Sequence, residues 1–498
     1  MKVFSKLALT GASAYSGYVG FRMYTDRQYR EDIKGLYTST INGVGAARVV
    51  TFSVLDYMYN LKGLDPATDE YHEQRSIIHR RVANRILKLS VASRGIYFKA
   101  GQYLGNLDRI MPREFTEVLS VLQDSAPPLP FDQIKVVLEN DLPDHEFQHI
   151  DREAIAAASL AQVHKATLKT GETVAVKFQY PFLATQSKAD YKVLRLCTKV
   201  CNRLLKYYDY QDIDLMKLWK TFRDMIASEI DFMYEKRNAE KTRQLFKDNP
   251  DVKVPKFYSK MCCSRILTME FVNGVKINDI EGLEENGFTR EETRKLLMNT
   301  FAHMIFHYGH VHCDPHPGNL LITRGLSGKA QLILLDHGFY RTMPVDFKLK
   351  FCELWKALVE LNYDKVKEVA TEFGLGNFYK YLPLILTYRT VNSKKPLGTM
   401  ISEEEKRELH VSNDLSFDKI SRLMQSLPPD IMFIVRTSNL VAIHNRNLGG
   451  CTKDRLVLYT DYAFESLYTS KLQYYFQKFL FWMRLFLHTY FPQLLGLS

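Results

Sequence analysis

Two short strings constrain this chain more than anything else in it. The first is His312-Cys313-Asp314-Pro315-His316-Pro317-Gly318-Asn319, of the form H-x-D-x-x-x-x-N. The second, Asp336-His337-Gly338, begins seventeen residues after Asn319 and ends the apolar run Leu332-Ile333-Leu334-Leu335. Carboxylate and amide oxygens are hard ligands that suit Mg²⁺, the ion that accompanies nucleotide phosphates. Asn319 and Asp336 are therefore metal-ligand candidates. Asp314 stands where a substrate hydroxyl would give up its proton.

The segments upstream fall in the order used by protein kinases. Ala154 to Ala166 and Thr173-Val174-Ala175-Val176-Lys177-Phe178 are β-type runs joined by the turn Lys169-Thr170-Gly171-Glu172, which predicts a hairpin. The V-A-V-K string makes Lys177 the candidate for holding the α/β-phosphates, and its partner should be a Glu on a following helix. Arg265 to Gly274 reads as a strand leading into a hinge, with Glu270, Phe271 and Val272 as nucleotide-binding candidates. The expectation is an α+β, two-lobed protein-kinase-like fold with an N-terminal helical extension and a helical insertion in the N-lobe.

With 498 residues, 46% of them hydrophobic, the chain can bury a large core and is not globally disordered. Its net charge of +11 suits anionic lipid, nucleotide or nucleic acid, or simply a solvated surface. No nucleic-acid-binding motif appears and the basic residues form no long runs, so nucleic acid is not an expected partner. Cys197, Cys201, Cys262, Cys263, Cys313, Cys352 and Cys451 are odd in number and show no C-x-x-C spacing. Reduced thiols in a non-secretory compartment fit best.

Residues 1–25 hold Lys2, Lys6 and Arg22, no acid, and many small residues, the composition of a mitochondrial targeting segment. Residues 26–64 include Leu36 to Leu61, long enough for a marginal membrane helix but carrying Arg48 and Asp56; an ordinary buried helix is the stronger expectation. A helical extension covers 65–126, where Lys99 and Gln102 share a helix face, and Ala126-Pro127-Pro128-Leu129-Pro130 is the clearest linker. The kinase-like N-lobe then spans 127–273 with a helical insertion at 182–228, and the helical C-lobe spans 274–470 with a polar loop from Ser393 to Arg407. The aromatic tail 471–498 could lie in a membrane interface or cover an apolar groove.

Lys99-Ala100-Gly101-Gln102, the Ala156-Ala157-Ala158-Ser159 loop, Ser228-Glu229-Ile230-Asp231 and the Asp314 string together resemble the UbiB-type atypical kinase-like family over roughly residues 70–460. The resemblance implies ATP or ADP with Mg²⁺ as cofactors. It implies Ala156 to Ser159 and Lys177 at the nucleotide, Glu235 as the ion-pair partner of Lys177, and Asp314 as the catalytic-loop acid. Asn319 and Asp336 would be the metal ligands. Lys99 and Gln102 would fold over the nucleotide cleft, with Lys99 meeting Glu229, and Asp231 and Glu235 would share one helix face. Such an element occludes the place of a protein substrate. Alanine restricts φ where glycine bends freely, so an Ala-rich loop should hold phosphates stiffly.

Three readings follow. One is an atypical kinase or ATPase at a mitochondrial membrane, associated with the inner membrane and with lipid handling. The second is a non-catalytic pseudokinase scaffold there. The third is a metal hydrolase using His307, His310, His312, Asp314, His316 and His337.

Overall fold

The computed structural model describes residues 17–65, 67–107, 111–123, 128–207, 214–391, 393, 423 and 426–490. Residues 1–16 of the targeting-segment reading, 126–127 of the linker, 208–213 of the insertion, 394–407 of the polar loop and 491–498 of the tail lie outside the described residues. The chain divides into two compact units, Met1–Met233 with Phe257–Phe271, and Tyr234–Lys256 with Val272–Ser498.

The first unit begins with helices α1 (Arg27–Asn60), α2 (Asp69–Ser93), α3 (Gly95–Gly105), α4 (Arg113–Leu119) and α5 (Phe131–Asp141). Its antiparallel sheet has the order β1-β2-β3-β5, from β1 (Phe147–Ala157), β2 (Ala161–Leu168), β3 (Thr173–Gln179) and β5 (Ile266–Glu270). Period-two side-chain alternation explains β3. Val174, Val176 and Phe178 all turn into a core shared with Ile134 and Val137 of α5, which leaves Lys177 on the opposite face. The β2–β3 turn needs Gly171 at φ +86°, and the Leu168 amide bonds back to the Glu172 carbonyl at 2.9 Å. Helices α6 (Leu183–Tyr207) and α7 (Leu215–Ile230) form the insertion.

Helix α1 is not long and apolar enough to cross a membrane, and it is only partly buried. Its buried face is small and polar: Gly35, Ser39, Asn42, Ala46, Ser53 and Asp56. Ser39 bonds Asp190 of α6, and Asp56 is held by Arg81 at 2.6 Å and Arg85 at 2.8 Å from α2. Tyr37, Ile41, Val44, Phe52 and Leu55 are exposed instead. Among the described residues no helix is long and apolar enough to cross a membrane.

The second unit holds a sheet of order β4-β9-β8-β6, from β4 (Val252–Lys253), β6 (Val275–Lys276), β8 (Leu320–Arg324) and β9 (Ala330–Leu334). A separate pair joins β7 (His310–His312) to β10 (Tyr340–Thr342). Helix α8 (Phe232–Leu245) runs into β4, whose parallel pairing with β9 keeps this stretch in the second unit. Around the sheets pack α9 (Arg290–Ala302), α10 (Val345–Val359), α11 (Tyr363–Glu372), α12 (Pro429–Asn447) and α13 (Thr452–Leu467), with Phe306, Trp355 and Tyr459 meeting as a ring cluster. The tail forms α14 (Lys471–Tyr490). Phe481 and Leu485 are buried, Lys478 pairs with Asp461 and Arg484 with Glu360, while Tyr475, Phe476, Phe479, Trp482 and Phe486 are exposed. The tail thus docks through its charges and two apolar residues, and most of its aromatic face is left in solvent.

Candidate functional site

In the second unit, hairpin register assembles the metal-ligand candidates. Strands β8 and β9 pair antiparallel with Leu320 opposite Leu334, so Asn319 and the residues after Leu334 leave the hairpin at the same end. The Leu335 amide donates to the Asn319 carbonyl at 3.0 Å, and the Asn319 side-chain amide donates to the Asp314 carbonyl at 3.1 Å. Asp336 accepts the Gly338 amide on Oδ1 at 2.8 Å, which curls the D-x-G turn around its own carboxylate. Asn319 and Asp336 are thereby brought to one end of one hairpin by backbone pairing, and the Asn319 side chain ties Asp314 to the same end.

Histidines buttress this end from within. The ring of buried Tyr340 stacks with His310, His312 and His337, at centroid distances of 4.7, 5.0 and 5.5 Å. His337 donates from Nε2 to the Leu334 carbonyl at 3.1 Å, so its Nδ1 accepts from the Tyr340 hydroxyl at 2.9 Å. The His310 ring bonds Thr342, and His312 accepts the Asp314 amide at 3.2 Å. Burial pushes His310 down to about 4, with Lys241 adding to the shift, and lowers His312 as well. Burial raises the Cys313 thiol to about 12, so it is no nucleophile beside Asp314. The histidines of the metal-hydrolase reading are thus largely engaged in stacking and protein hydrogen bonds. Among the described residues no group of three or more His, Cys, Asp or Glu side chains could hold a metal ion.

Helix α8 carries Glu235, which is buried in its first turn. One turn on, Asn238 donates to the His337 carbonyl at 3.0 Å, tying the helix of Glu235 to the D-x-G segment. The expected shared helix for Asp231 and Glu235 does not form. Asp231 sits at φ −88°, ψ 93°, ending α7, and its carboxylate accepts the Met233 amide at the start of α8. A side chain that can bond the backbone two residues on favours a break over helix continuation. Glu229 and Glu235 therefore lie on different helices.

In the first unit, Lys177 lies between Val163 of β2 and Leu267 of β5, its ammonium 5.3 Å from the Phe232 ring centroid. Ala156 and Ala157, expected in the loop, end β1 in register with Val163 and Gln162; only Ala158, Ser159 and Leu160 form the tip. The Ala158 amide donates to the Ala161 carbonyl at 2.8 Å and the Ala158 carbonyl accepts the Tyr180 hydroxyl at 3.0 Å. The tip is closed on itself, and the Ala158 amide is engaged within the protein. Lys99 and Glu229 are brought together at 2.8 Å, both largely shielded, and the Gln102 side chain donates to the Leu122 carbonyl at 2.7 Å. Glu270 pairs with Val174 at the end of β5. Phe271, under the ammonium of Lys165, is the last residue of this unit, and Val272 opens the next.

The sequence reads as a helix from Asp430 to Asn445, and α12 spans Pro429–Asn447, but sequence reasoning did not connect this helix to the site. Asp430 bonds Arg341, and Phe433 packs edge-on against Phe339 at 5.0 Å. Thr437 donates to the His312 carbonyl at 3.4 Å, and the His444 ring donates to the Pro315 carbonyl at 3.0 Å. Between them Arg436 reaches Asp314 at 3.2 Å. Positions 430, 433, 437 and 444 recur at helix spacing, so one face of α12 meets Arg341, Phe339, His312 and Pro315 on the segments around Asp314. The polar residues Asp430, Thr437 and His444, each seven positions apart on one face, were the available signal.

The ABC1 atypical kinase-like domain matches residues 121–370. AarF domain-containing protein kinase 1 of Mus musculus is 35% identical over 420 residues, covering 82% of this chain and 79% of the relative. The chain belongs to the ABC1 atypical kinase-like family. Another member of this family, AarF domain-containing kinase 1 of Drosophila melanogaster, is 32% identical over 404 residues, covering 80% of this chain and 77% of the relative. A solved structure, the Rv3197–erythromycin complex from Mycobacterium tuberculosis, is similar at 22% identity over 77% of this chain and 97% of that chain, with a TM-score of 0.47. As an ABC1 kinase-like chain it carries the V-A-V-K lysine on β3 and the D-x-G turn after β9, in the order expected of the fold.

Proposed function

We propose that this ABC1 family chain binds ATP or ADP with Mg²⁺ and turns the nucleotide over as an ATPase or unorthodox kinase, in a mitochondrial setting tied to membrane lipid. The observation that carries the reading is the hairpin end where Asp314, Asn319 and Asp336 converge. The donor set fits Mg²⁺: one carboxylate and one amide oxygen, hard and unaccompanied by thiolate. When bound, the ion would neutralise phosphate charge, and Asn319 and Asp336 would hold it; Lys177 is the first unit's candidate for orienting phosphates, and Glu235 an acidic candidate of the second. Asp314 would take the proton of the attacking hydroxyl or water. Glu270, Phe271 and Val272 would meet the base. The acid-free, basic segment 1–25 supports the mitochondrial part, and the exposed apolar faces of α1 and α14 support contact with a lipid surface.

The test is thermal stability of the purified chain with ATP or ADP, with and without Mg²⁺, beside Asp336→Ala. A ligand that binds only the folded state raises its stability by about 2.7 kcal/mol at a hundredfold excess over Kd. A Mg²⁺-dependent shift that Asp336→Ala abolishes is expected. A folded protein that shows no shift rejects the reading.

The self-closed tip at Ala158 and the shielded Lys99–Glu229 pair favour a second reading, a scaffold that retains the fold without turnover. Under it, Asp314→Asn would leave cellular function intact. Loss of function in that variant, if well folded, counts against it.

A further inference from the structure

We propose that Arg436 is a catalytic residue, its guanidinium contacting the phosphoryl group transferred beside Asp314. This rests on the nucleotide reading above and adds to it a residue that none of the sequence motifs contains.

Three observations support the assignment. First, the side chain is under-used. Its one hydrogen bond among the described residues runs from Nη2 to Asp314 Oδ1 at 3.2 Å, and its side chain is 26% exposed. A guanidinium has five N–H donors, so most of its capacity is left open beside the catalytic carboxylate. Arg455 of α13 is the contrast: fully buried, it bonds Ser438 at 2.6 Å and the Leu386 carbonyl at 3.0 Å and lies over the rings of Tyr388 and Tyr459. That is how this fold uses a structural arginine.

Second, the brace does not need it. Asp430, Phe433, Thr437 and His444 already fasten α12 to the segments around Asp314. The Arg436 guanidinium carbon lies over the Phe339 ring, 6.0 Å from its centroid, while the head reaches Asp314.

Third, the charge is of the right kind. Asp314 and Asp336 place two carboxylates at the hairpin end, and a nucleotide would add phosphate charge. A planar, permanently protonated fork matches phosphoryl oxygens in two-point fashion and stabilises charge spread over them during transfer. For hydrolysis, the bond between the terminal phosphorus and its bridging oxygen breaks with the electron pair leaving on ADP. A water oxygen forms the new P–O bond. Its proton passes to Asp314 and then to solvent, giving ADP, orthophosphate and one proton. Arg436 keeps its proton throughout and moves from Asp314 to the phosphoryl oxygens.

The experiment uses the full chain with ADP and Mg²⁺, with and without aluminium fluoride, which mimics the phosphoryl group in flight. Melting temperature is the primary readout, and phosphate release from ATP with Mg²⁺ the second. Wild type should gain a further stabilisation when fluoride is added. Arg436→Ala should keep the ADP shift, lose the fluoride increment, and release phosphate about 100-fold more slowly or worse. Arg436→Lys, which keeps charge without the fork, should fall between. If Arg436→Ala melts early without ligand, Arg436→Gln and Arg436→Lys decide on the same fluoride increment. A variant that keeps the increment and stays within about twofold of wild-type turnover overturns the assignment. So does wild type that shifts with ADP but gains nothing from fluoride. Wild type that shows no Mg²⁺-dependent ADP shift removes the nucleotide reading itself, and this one with it.

Discussion

Lys177 and Asp314 are held in opposite ways. Lys177 rides on the central part of a β-ladder: β2, β3 and β5 pair along their lengths, and the side chains beneath are aliphatic and aromatic. Asp314 lies in a loop with little ladder of its own, kept in place by stacked histidines from within and by side chains of α12 from outside. Backbone ladders tolerate many side chains, whereas a cage of polar side chains depends on each one being satisfied. The lysine support should therefore break through its core, and the aspartate support through single hydrogen bonds.

The largest effect should come from the ladder's core. Phe178→Ala empties a fully buried site shared with α5 and should cost about 3–5 kcal/mol, read as a lower denaturation midpoint. A cost below about 1 kcal/mol would mean that the ladder, not the packing, carries the support.

Acid comes next. His310 has a folded value near 4 against an ordinary 6.5, so the unfolded chain binds more protons between those values. Stability is fully present above about pH 6.5 and is lost as pH falls toward 4, by roughly 3 kcal/mol from this residue. His310→Asn should flatten that slope. An unchanged slope would place the acid sensitivity elsewhere.

A smaller effect sharpens the contrast at the D-x-G turn. Tyr340→Phe removes the hydroxyl that donates to His337 Nδ1 and leaves a buried ring nitrogen unpaired, a cost of about 1–3 kcal/mol. The Mg²⁺-dependent nucleotide shift should shrink with it, because Asp336 is the neighbour of His337. Smallest of all, Arg152→Ala deletes a solvent-exposed pair with Asp132 beside the β1 ladder and should change stability by less than about 1 kcal/mol.

The same contrast decides what could be read before the fold was known. Lys177, the hairpin turn at Gly171, and the ligand candidates Asn319 and Asp336 follow from strings a few residues long, because strand alternation and turn chemistry are local. The break at Asp231 was missed because the four-residue spacing of Asp231 and Glu235 suits one helix face, and one carboxylate bonding its own backbone overrode it. Helix α1 misleads for another reason: its buried face is Gly, Ser, Asn and Asp, and its exposed face is apolar, so hydropathy points the wrong way round. Arg436 was out of reach because its partner is 122 residues away and no local rule links them.

That separation also has a consequence in time. A ribosome adds about 5–20 residues each second, so the loop bearing Asp314 is made roughly 6–24 s before the arginine that meets it. Once Gly338 has been added, the polypeptide carries every one of these strings, and the loop is still without the contacts of α12. A product cut short before Pro429 would keep the diagnostic strings and lack the helix that packs beside Asp314. The pairing of Asp314 with Arg436 is in this sense a property of the nearly finished chain, and synthesis that stops early yields the family's strings without that contact.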